Sequence, residues 1–305
     1  MSLRAGVKNL AERGLTGLGA AAIARRVNRD RTVVLAYHNV IPRGEKPAGD
    51  RSLHIGQEAF GEHLDRLVET HQIVDLASVD RHPPGQGRPC AVITFDDAYA
   101  GAVEAGVDEL VRRGLPATIF VVPGMLDRRS FWWDRLADPD MGVVPPAIRR
   151  TALAEHAGRD LDVSRWTREA GLREVEPPEY ALSATKAELE AAASRPGISL
   201  GSHTWSHVNL AAIPTDEADH EIARAAAWLR ATGRAESWIS YPYGLANEGA
   251  RAAAARRHAG GLEIRGGLAA RGTLTGSYSV PRVNVPAGLS RAGLELRASG
   301  VVGTR

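Results

Sequence analysis

Short apolar segments alternate with longer segments of helical periodicity from residue 32 onward. Apolar segments of about four to eight residues, rich in β-branched or aromatic residues, are typical of buried strands. Strands that alternate with helices predict an α/β fold with a mostly parallel sheet or barrel. The predicted strands are residues 32–37, 91–95, 117–122, 198–202, 238–241 and 278–285.

Apolar residues recur at helical spacing between these strands, which indicates helices that pack against the sheet. The segment 215–232 contains neither Gly nor Pro and ends at Gly233, a residue that readily adopts the positive φ of a helix C-terminus. The predicted core-facing residues are Phe60, Leu64, Leu67, Val68, Val103, Val107, Leu110, Val111, Ile222, Ala226 and Leu229.

The segment from about 125 to 183 interrupts the alternation of strands and helices. It carries scattered prolines, short helical patterns and the aromatic cluster Phe131, Trp132 and Trp133. We interpret it as a helical insertion in a domain that spans residues 32–305. Such an insertion either shapes the substrate site or is simply fastened to the barrel by its tryptophans.

Composition excludes several classes of function. The formal net charge of +2 comes from nearly balanced acids and bases, which argues against a nucleic-acid partner. Cys90 is the only cysteine, so the chain has no internal disulfide and no cysteine-rich zinc site. A metal site must therefore be built from histidines and carboxylates. No feature of the sequence indicates an obligate protein partner.

Residues 1–31 form a separate N-terminal segment with an apolar, Gly-rich centre at 14–24. This centre is too short and weakly apolar for a secretory signal or a membrane-spanning helix. Basic residues flank it, which predicts an amphipathic helix that either docks on the protein or contacts an anionic membrane surface. We therefore expect a cytoplasmic protein, with a peripheral membrane location as the alternative. The flanking basic residues are Arg4, Lys8, Arg13, Arg25 and Arg26.

Two adjacent carboxylates, Asp96 and Asp97, follow the predicted strand 91–95. Strand ends are where barrels carry their chemistry, and a carboxylate there is costly to bury unless it has a partner. A turn after the strand can aim both side chains into one site. The alternative is an ordinary acidic turn or a helix N-cap.

His203 and His207 are four residues apart and follow the predicted strand 198–202. On a helical turn this spacing allows both imidazoles to reach one cation. A chance pair is common among ten histidines, but an aspartate from another strand end would supply the third ligand. Two histidines and one carboxylate leave positions open for water and substrate, as in catalytic metal sites. A second carboxylate, for which Asp96 is suited, can then accept a proton from water.

Two further segments end in residues that could take part in catalysis. The predicted strand 238–241 continues into Pro242 and Tyr243, a turn whose backbone N–H groups can face the site as oxyanion donors. His38 closes the first strand, where a lone histidine is either functional or structural.

These four segments, in this order, resemble the polysaccharide deacetylase family, the family-four carbohydrate esterases, over residues 32–285. The resemblance implies a distorted β/α barrel of about seven strands. It implies that Asp96 is the catalytic base and that Asp97, His203 and His207 bind the metal. The opening Tyr37-His38 is similar to the branch that acts on poly-N-acetylglucosamine, in which this histidine protonates the leaving amine.

The chain departs from the family pattern at Ser240, where many members have an arginine that orients the catalytic aspartate. Arg282, on a late predicted strand, either takes this orienting position or is a surface or structural arginine. A late Leu-x-His motif, the usual position of the family's general acid, is not evident. Its absence is consistent with His38 as the acid.

The predicted function is metal-dependent removal of an N-acetyl group from an amino sugar or glycan. Zinc is the expected metal, with cobalt, nickel and manganese as alternatives. The alternative functions are hydrolysis of a cyclic amide or imide, iron-dependent oxygenation, and non-catalytic carbohydrate binding. The last of these is motivated by the missing arginine at Ser240.

Overall fold

The computed structural model describes residue 12 and residues 14–82, 87–233 and 235–302. Its strands, numbered in chain order, are β1 (Arg31–Tyr37), β2 (Asn39–Ile41), β3 (His54–Gly56), β4 (Gln72–Ile73), β5 (Cys90–Phe95), β6 (Ala117–Val121), β7 (Ile198–Ser202), β8 (Ala235–Ser240), β9 (Gly260–Glu263), β10 (Ala269–Ala270), β11 (Val280–Pro281) and β12 (Val283–Asn284). Its α-helices are α1 (Ala20–Val27), α2 (Gln57–Thr70), α3 (Val107–Arg112), α4 (Trp132–Arg135), α5 (Pro146–Ala154), α6 (Asp160–Glu169), α7 (Lys186–Ala193), α8 (Thr215–Thr232), α9 (Glu248–Ala255) and α10 (Arg291–Ala298).

The main sheet is a nearly closed barrel of parallel strands. Its order runs β1, β5, β6, β7, β8, β9 and β11, and each of these pairs is parallel. Strand β12 pairs in parallel with β1, and only Arg282 separates β11 from β12, so this segment closes the barrel. The predicted distorted β/α barrel is confirmed. The path described contains eight strands because β10 adds an antiparallel edge to β1.

Most predicted strands lie within one to three residues of the observed ones. The predicted strand 278–285 is instead two short strands, because the Arg282 N–H donates to Glu263 O and the Arg282 carbonyl accepts from Gly266 N. Strand β9 was missed because it contains Gly260 and Gly261 and therefore lacks an apolar pattern. A Cβ at Gly260 would overlap the Trp238 ring.

The predicted helices form, with one local difference. Helix α8 spans Thr215–Thr232 and ends at Gly233, which has φ 67°, as expected. Helix α2 buries Phe60, Leu64 and Leu67, but Val68 is 41% exposed and lies off the packed face. Residues Ala102–Gly106 form a π-helical turn before α3 rather than a continuous α-helix.

The predicted insertion supplies α4, α5 and α6, which lie between β6 and β7 in the chain. The cluster Phe131, Trp132 and Trp133 is buried in the main core, so it does fasten the insertion to the barrel. Trp133 also lines a cavity described below. The insertion is therefore fastened to the barrel and also contributes a side chain to this cavity.

Helix α1 docks on the C-terminal helix α10. Arg25 donates to Glu295 Oε1 at 2.6 Å and Asn28 donates to Ser299 O at 2.9 Å. Leu18 and Ile23 stay 82% and 67% exposed. Arg4, Lys8 and Arg13 of the predicted N-terminal segment lie outside the described residues. Across the described ranges, we find no helix with the length and apolar character needed to span a membrane.

Candidate metal and catalytic site

Asp97, His203 and His207 converge at the carboxyl ends of the barrel strands. Asp97 follows β5, and the two histidines follow β7. The Nε2 atom of His207 lies 3.1 Å from Asp97 Oδ1, and that of His203 lies 3.5 Å from the same oxygen. All three residues are buried, and one potential ligand atom from each lies within 4.8 Å of the others. The residues that the sequence predicted as ligands are thus brought together.

The backbone of these loops is held in a costly conformation. Asp97, Thr204 and His207 have φ values of 72°, 64° and 59°, in the left-handed region that is unfavourable for residues with a side chain. The Nδ1 atom of His203 lies 2.7 Å from Ser240 O, and a carbonyl only accepts, so Nδ1 carries the proton. The lone pair of His203 Nε2 therefore faces Asp97, the arrangement of a metal-ligating imidazole.

The donor set fits a divalent metal ion. Asp97 Oδ1 is buried without a hydrogen bond of good geometry to any described residue. Burial raises the pKa of Asp97, but His207 and His203 outweigh it and hold this pKa well below its usual range. Two imidazoles and one ionised carboxylate leave the rest of a coordination sphere open.

Asp96 is paired with Arg282, and its Oδ2 lies 4.0 Å from His203 Nε2. The guanidinium donates to both carboxylate oxygens, Nη1 to Oδ1 at 2.8 Å and Nη2 to Oδ2 at 2.7 Å. It also donates to Thr94 Oγ1 at 3.1 Å and to Ser240 Oγ at 2.7 Å. Arg282 is completely buried, which excludes a surface position. Burial raises the pKa of Asp96, but Arg282 and His203 lower it to about 2.

His38 lies at the end of β1 and lines the same cavity as Asp96 and Asp97. Burial lowers its pKa, and this effect outweighs the opposing charges of the two aspartates. His38 is therefore neutral in the resting protein and must gain a proton before it can donate one.

Tyr243 follows β8 within the short 3₁₀ turn Pro242–Gly244 and has φ 58°. Its hydroxyl accepts from Trp132 Nε1 and donates to Gly158 O, both at 3.1 Å. Its ring lies 4.7 Å from the His207 ring at nearly a right angle. Tyr243 lines the cavity, whereas Pro242 is buried beneath it and does not.

Sequence reasoning missed a buried hydrogen-bond chain behind the site. The Trp133 Nε1 donates to Tyr99 OH at 2.7 Å, and this hydroxyl donates to Asp134 Oδ2 at 2.6 Å. His54 Nε2 lies 2.8 Å from Asp134 Oδ1. The chain fixes the Trp133 indole, whose centre is 4.8 Å from the His207 ring. Its members come from three separate segments, so no local spacing reveals it.

Glu221 on α8 was also missed. Its Oε2 accepts from the backbone N–H groups of Trp205 and Ser206 at 3.1 and 2.9 Å, and its Oε1 accepts from Ser206 Oγ at 2.9 Å. These two residues lie between His203 and His207, so Glu221 holds the loop that presents both. The sequence offered one indication of this role, because Glu221 is an acidic residue next to Ile222, which was predicted to face the core.

The site residues surround a cavity of about 220 Å³. A larger hollow of about 630 Å³ lies over β2 and β3 but contains none of the predicted site residues. We therefore assign the chemistry to the smaller one. It is lined by His38, Leu53, Asp96, Asp97, Trp133, Arg149, His203, His207, Tyr243, Ile264 and Asn284.

Comparisons with known proteins agree with this geometry. The family model described as polysaccharide deacetylase matches residues 84–259, more than half of the 305-residue chain. The match includes Asp96, Asp97, His203, His207 and Tyr243 but neither His38 nor Arg282. No curated protein matches the chain.

Solved structures share its fold. The deacetylase PplD from Streptococcus pyogenes, in complex with acetate, is 17% identical with a TM-score of 0.60, and the match covers 88% of this chain and 98% of that one. IcaB from Ammonifex degensii is 17% identical with a TM-score of 0.62, covering 89% and 98%. The BpsB deacetylase domain from Bordetella bronchiseptica is 16% identical with a TM-score of 0.54, covering 85% and 97%. By its sequence match, and with a fold that agrees, the chain belongs to the polysaccharide deacetylase family.

Proposed function

We propose that the protein is a metal-dependent hydrolase that removes the N-acetyl group from an amino sugar or glycan. One observation carries the proposal: three clustered ligands, Asp97, His203 and His207, stand beside a second carboxylate, Asp96, that the metal does not need. A ligand set with a separate base is what hydrolysis of an unreactive amide requires. The family assignment supports the same reaction.

In this proposal Asp97, His203 and His207 hold the metal. When bound there, a divalent ion polarises the acetyl carbonyl and makes a neighbouring water more acidic. Zinc is the metal we favour, because two imidazoles and one carboxylate suit it; cobalt, nickel and manganese remain alternatives.

Asp96 accepts the proton of the attacking water. The bidentate contact with Arg282 fixes the direction of its carboxylate and keeps it ionised. The backbone N–H of Tyr243, in the turn after β8, stabilises the oxyanion of the tetrahedral adduct. The left-handed φ of Tyr243 reflects the sharpness of this turn.

His38 protonates the leaving amine. Because burial keeps His38 neutral at rest, the proton that it donates is one that it gains during the reaction. The proton that Asp96 removes from water is available within the same cavity. With this proton, the nitrogen leaves as a neutral amine. Without it, the nitrogen would have to leave as an anion, which is a much poorer leaving group.

The test is acetate release by metal-stripped protein reloaded with zinc, cobalt, nickel or manganese. The substrates are N-acetylglucosamine compounds from the monosaccharide to oligomers. We expect release that depends on added metal. Stoichiometric metal binding without acetate release from any compound would reject the proposal and favour hydrolysis of a cyclic amide or imide. That alternative would then be tested with a panel of cyclic amides and imides as substrates.

The case for a non-catalytic homologue is weaker than the sequence suggested. It rested on the absence of an arginine at Ser240. Arg282 reaches Asp96 from the closing strand and donates to Ser240 Oγ, so the catalytic aspartate does have an arginine partner.

A further inference from the structure

The cavity has one basic feature that the deacetylation mechanism does not use. Arg149 lies on α5, within the insertion, and lines the cavity together with His38, Asp96 and Asp97. It is the only lysine or arginine among the described residues that line this cavity. Its side chain is 43% exposed, whereas that of Arg282 behind Asp96 is completely buried.

The contact that holds Arg149 is long. Its Nη1 lies 3.5 Å from Asp50 Oδ2, compared with about 2.7–2.9 Å for a close charge-assisted hydrogen bond. The other oxygen of Asp50 accepts from the backbone N–H and the hydroxyl of Ser52. One oxygen of Asp50 is thus used within its own loop, and Arg149 has a single long contact with the other, so the guanidinium retains donors for another anion.

The position of Arg149 relates it to the reacting group. Arg149 lines the same cavity as Tyr243 and the candidate metal ligands Asp97, His203 and His207. A cavity of about 220 Å³ is smaller than the roughly 300–1,000 Å³ typical of drug-sized ligands, so it admits about one sugar unit. We therefore expect an anion that meets Arg149 to be carried by the sugar that bears the N-acetyl group.

We propose that Arg149 is a specificity residue that binds a phosphate or carboxylate on the N-acetylated sugar, so that the preferred substrate is an anionic amino sugar. A planar guanidinium suits both anions because it can donate two parallel hydrogen bonds. This inference rests on the proposed deacetylation. It adds the substrate class, which the metal and Asp96 leave undefined.

The experiment compares Arg149→Ala and Arg149→Lys with wild type, using metal-loaded protein. The control is Arg150→Ala, because Arg150 is the exposed neighbour on the same helix. The substrates are N-acetylglucosamine, its 1-phosphate, its 6-phosphate and N-acetylmuramic acid. The readout is kcat/KM for acetate release, together with Kd from calorimetry for each compound.

We expect wild type to prefer at least one anionic compound over N-acetylglucosamine by about tenfold, the size of one partly exposed charged hydrogen bond. Arg149→Ala removes this preference, so the anionic compounds and N-acetylglucosamine then give equal kcat/KM. Arg149→Lys retains part of it because a point charge remains. Arg150→Ala behaves as wild type. The compound that is preferred identifies phosphate or carboxylate and its position.

Two results would overturn the inference. One is equal kcat/KM and Kd for neutral and anionic compounds in wild type. The other is an equal loss on all compounds in Arg149→Ala, which indicates that Arg149 only supports the Asp50 loop. Acetate release without anion preference rejects this inference alone. Absence of release from every compound rejects the proposed deacetylation, and the Kd values then still decide whether Arg149 binds the anion.

Discussion

The two aspartates after β5 belong to regions of opposite character. Asp97, with His203 and His207, forms what we term the metal corner. Asp96, with Arg282, Thr94 and Ser240, forms the arginine corner. In the metal corner, Asp97 Oδ1 is buried without a well-formed hydrogen bond to any described residue. In the arginine corner, both oxygens of Asp96 accept from one guanidinium.

Under the proposed function, this difference lets one strand end supply both a metal ligand and a base. Under the proposed function the metal corner holds a cation, so its stability should depend on the ion. The arginine corner is complete within the protein, so Asp96 is held whether or not metal is bound. Changes in the metal corner should therefore affect metal content and activity together, and changes in the arginine corner should affect activity but not metal content.

The largest effect is expected from His203→Ala. Losing one of three ligands should abolish tight metal binding and lower acetate release by at least about 10³-fold, because the hydrolysis relies on the ion. Metal content by elemental analysis and acetate release check this. His220→Ala, an exposed histidine on α8, is the control and should match wild type. If metal-free His203→Ala kept its activity, the reaction would not depend on metal held in the metal corner, and the proposed difference between the two corners would be wrong.

Arg282→Met should lower kcat by about 10²-fold, because Asp96 loses its orientation, while the bound metal stays near one ion per chain. Breaking a buried ion pair also lowers the free energy of unfolding by about 3–5 kcal/mol. Ser240→Ala removes only one of the arginine's hydrogen bonds, so it gives a smaller loss in a protein that still folds. Metal content, kcat and denaturant unfolding are measured together. Loss of metal in folded Ser240→Ala would show that the corners are not independent.

Glu221→Gln should weaken metal affinity by about tenfold, because residues that orient metal ligands typically contribute about 10–100-fold. The charge that accepts the loop N–H groups is lost, but the ligands remain, so kcat at saturating metal should be close to wild type. Competition with a chelator gives the affinity. Asp216→Asn, on the exposed first turn of the same helix, is the control. A fall in kcat at saturating metal would contradict a purely positioning role.

The smallest effect on activity is expected from a change in the shared barrel. Burial lowers the pKa of His63 to about 4 from its ordinary 6.5, against the raising effect of its contact with Leu289 O. A lowered histidine pKa means that the unfolded chain binds the extra proton first, so stability is present above pH 6.5 and is lost as the pH falls toward 4. The loss from this group is roughly 3 kcal/mol. His63→Gln should show a shallower decline between these pH values in denaturant unfolding, with activity at pH 7.5 near wild type. If the free energy of unfolding of His63→Gln declined with pH as steeply as that of wild type, His63 would not be the cause of the decline.

The sequence predicted the metal corner better than the arginine corner for a physical reason. Asp97, His203 and His207 lie directly after two strands, so apolar runs and a four-residue spacing point to them. The contact of Arg282 with Asp96 depends on where the barrel closes, nearly two hundred residues along the chain. From the sequence, Arg282 could therefore be either the arginine that orients Asp96 or a surface or structural arginine, and only the arrangement of the strands distinguishes the two.

The same contrast holds for the fold. Strands with a largely apolar pattern, such as β5 and β6, were predicted within one residue. Strand β9 was missed because Gly260 is required by the Trp238 ring and Gly261 by the Tyr241 side chain, rather than by local propensity. Glu221 and the Asp134 chain were missed because hydrogen-bond partners distant in sequence leave no periodic signal.

The most direct test of the account compares Asp96→Asn with Asp97→Asn in one experiment that measures bound metal and acetate release. We predict that Asp96→Asn keeps near-stoichiometric metal and loses at least about 10³-fold in kcat, whereas Asp97→Asn loses both. If Asp96→Asn released its metal, or kept most of its activity while metal was bound, the assignment of Asp96 as base and Asp97 as ligand would be wrong.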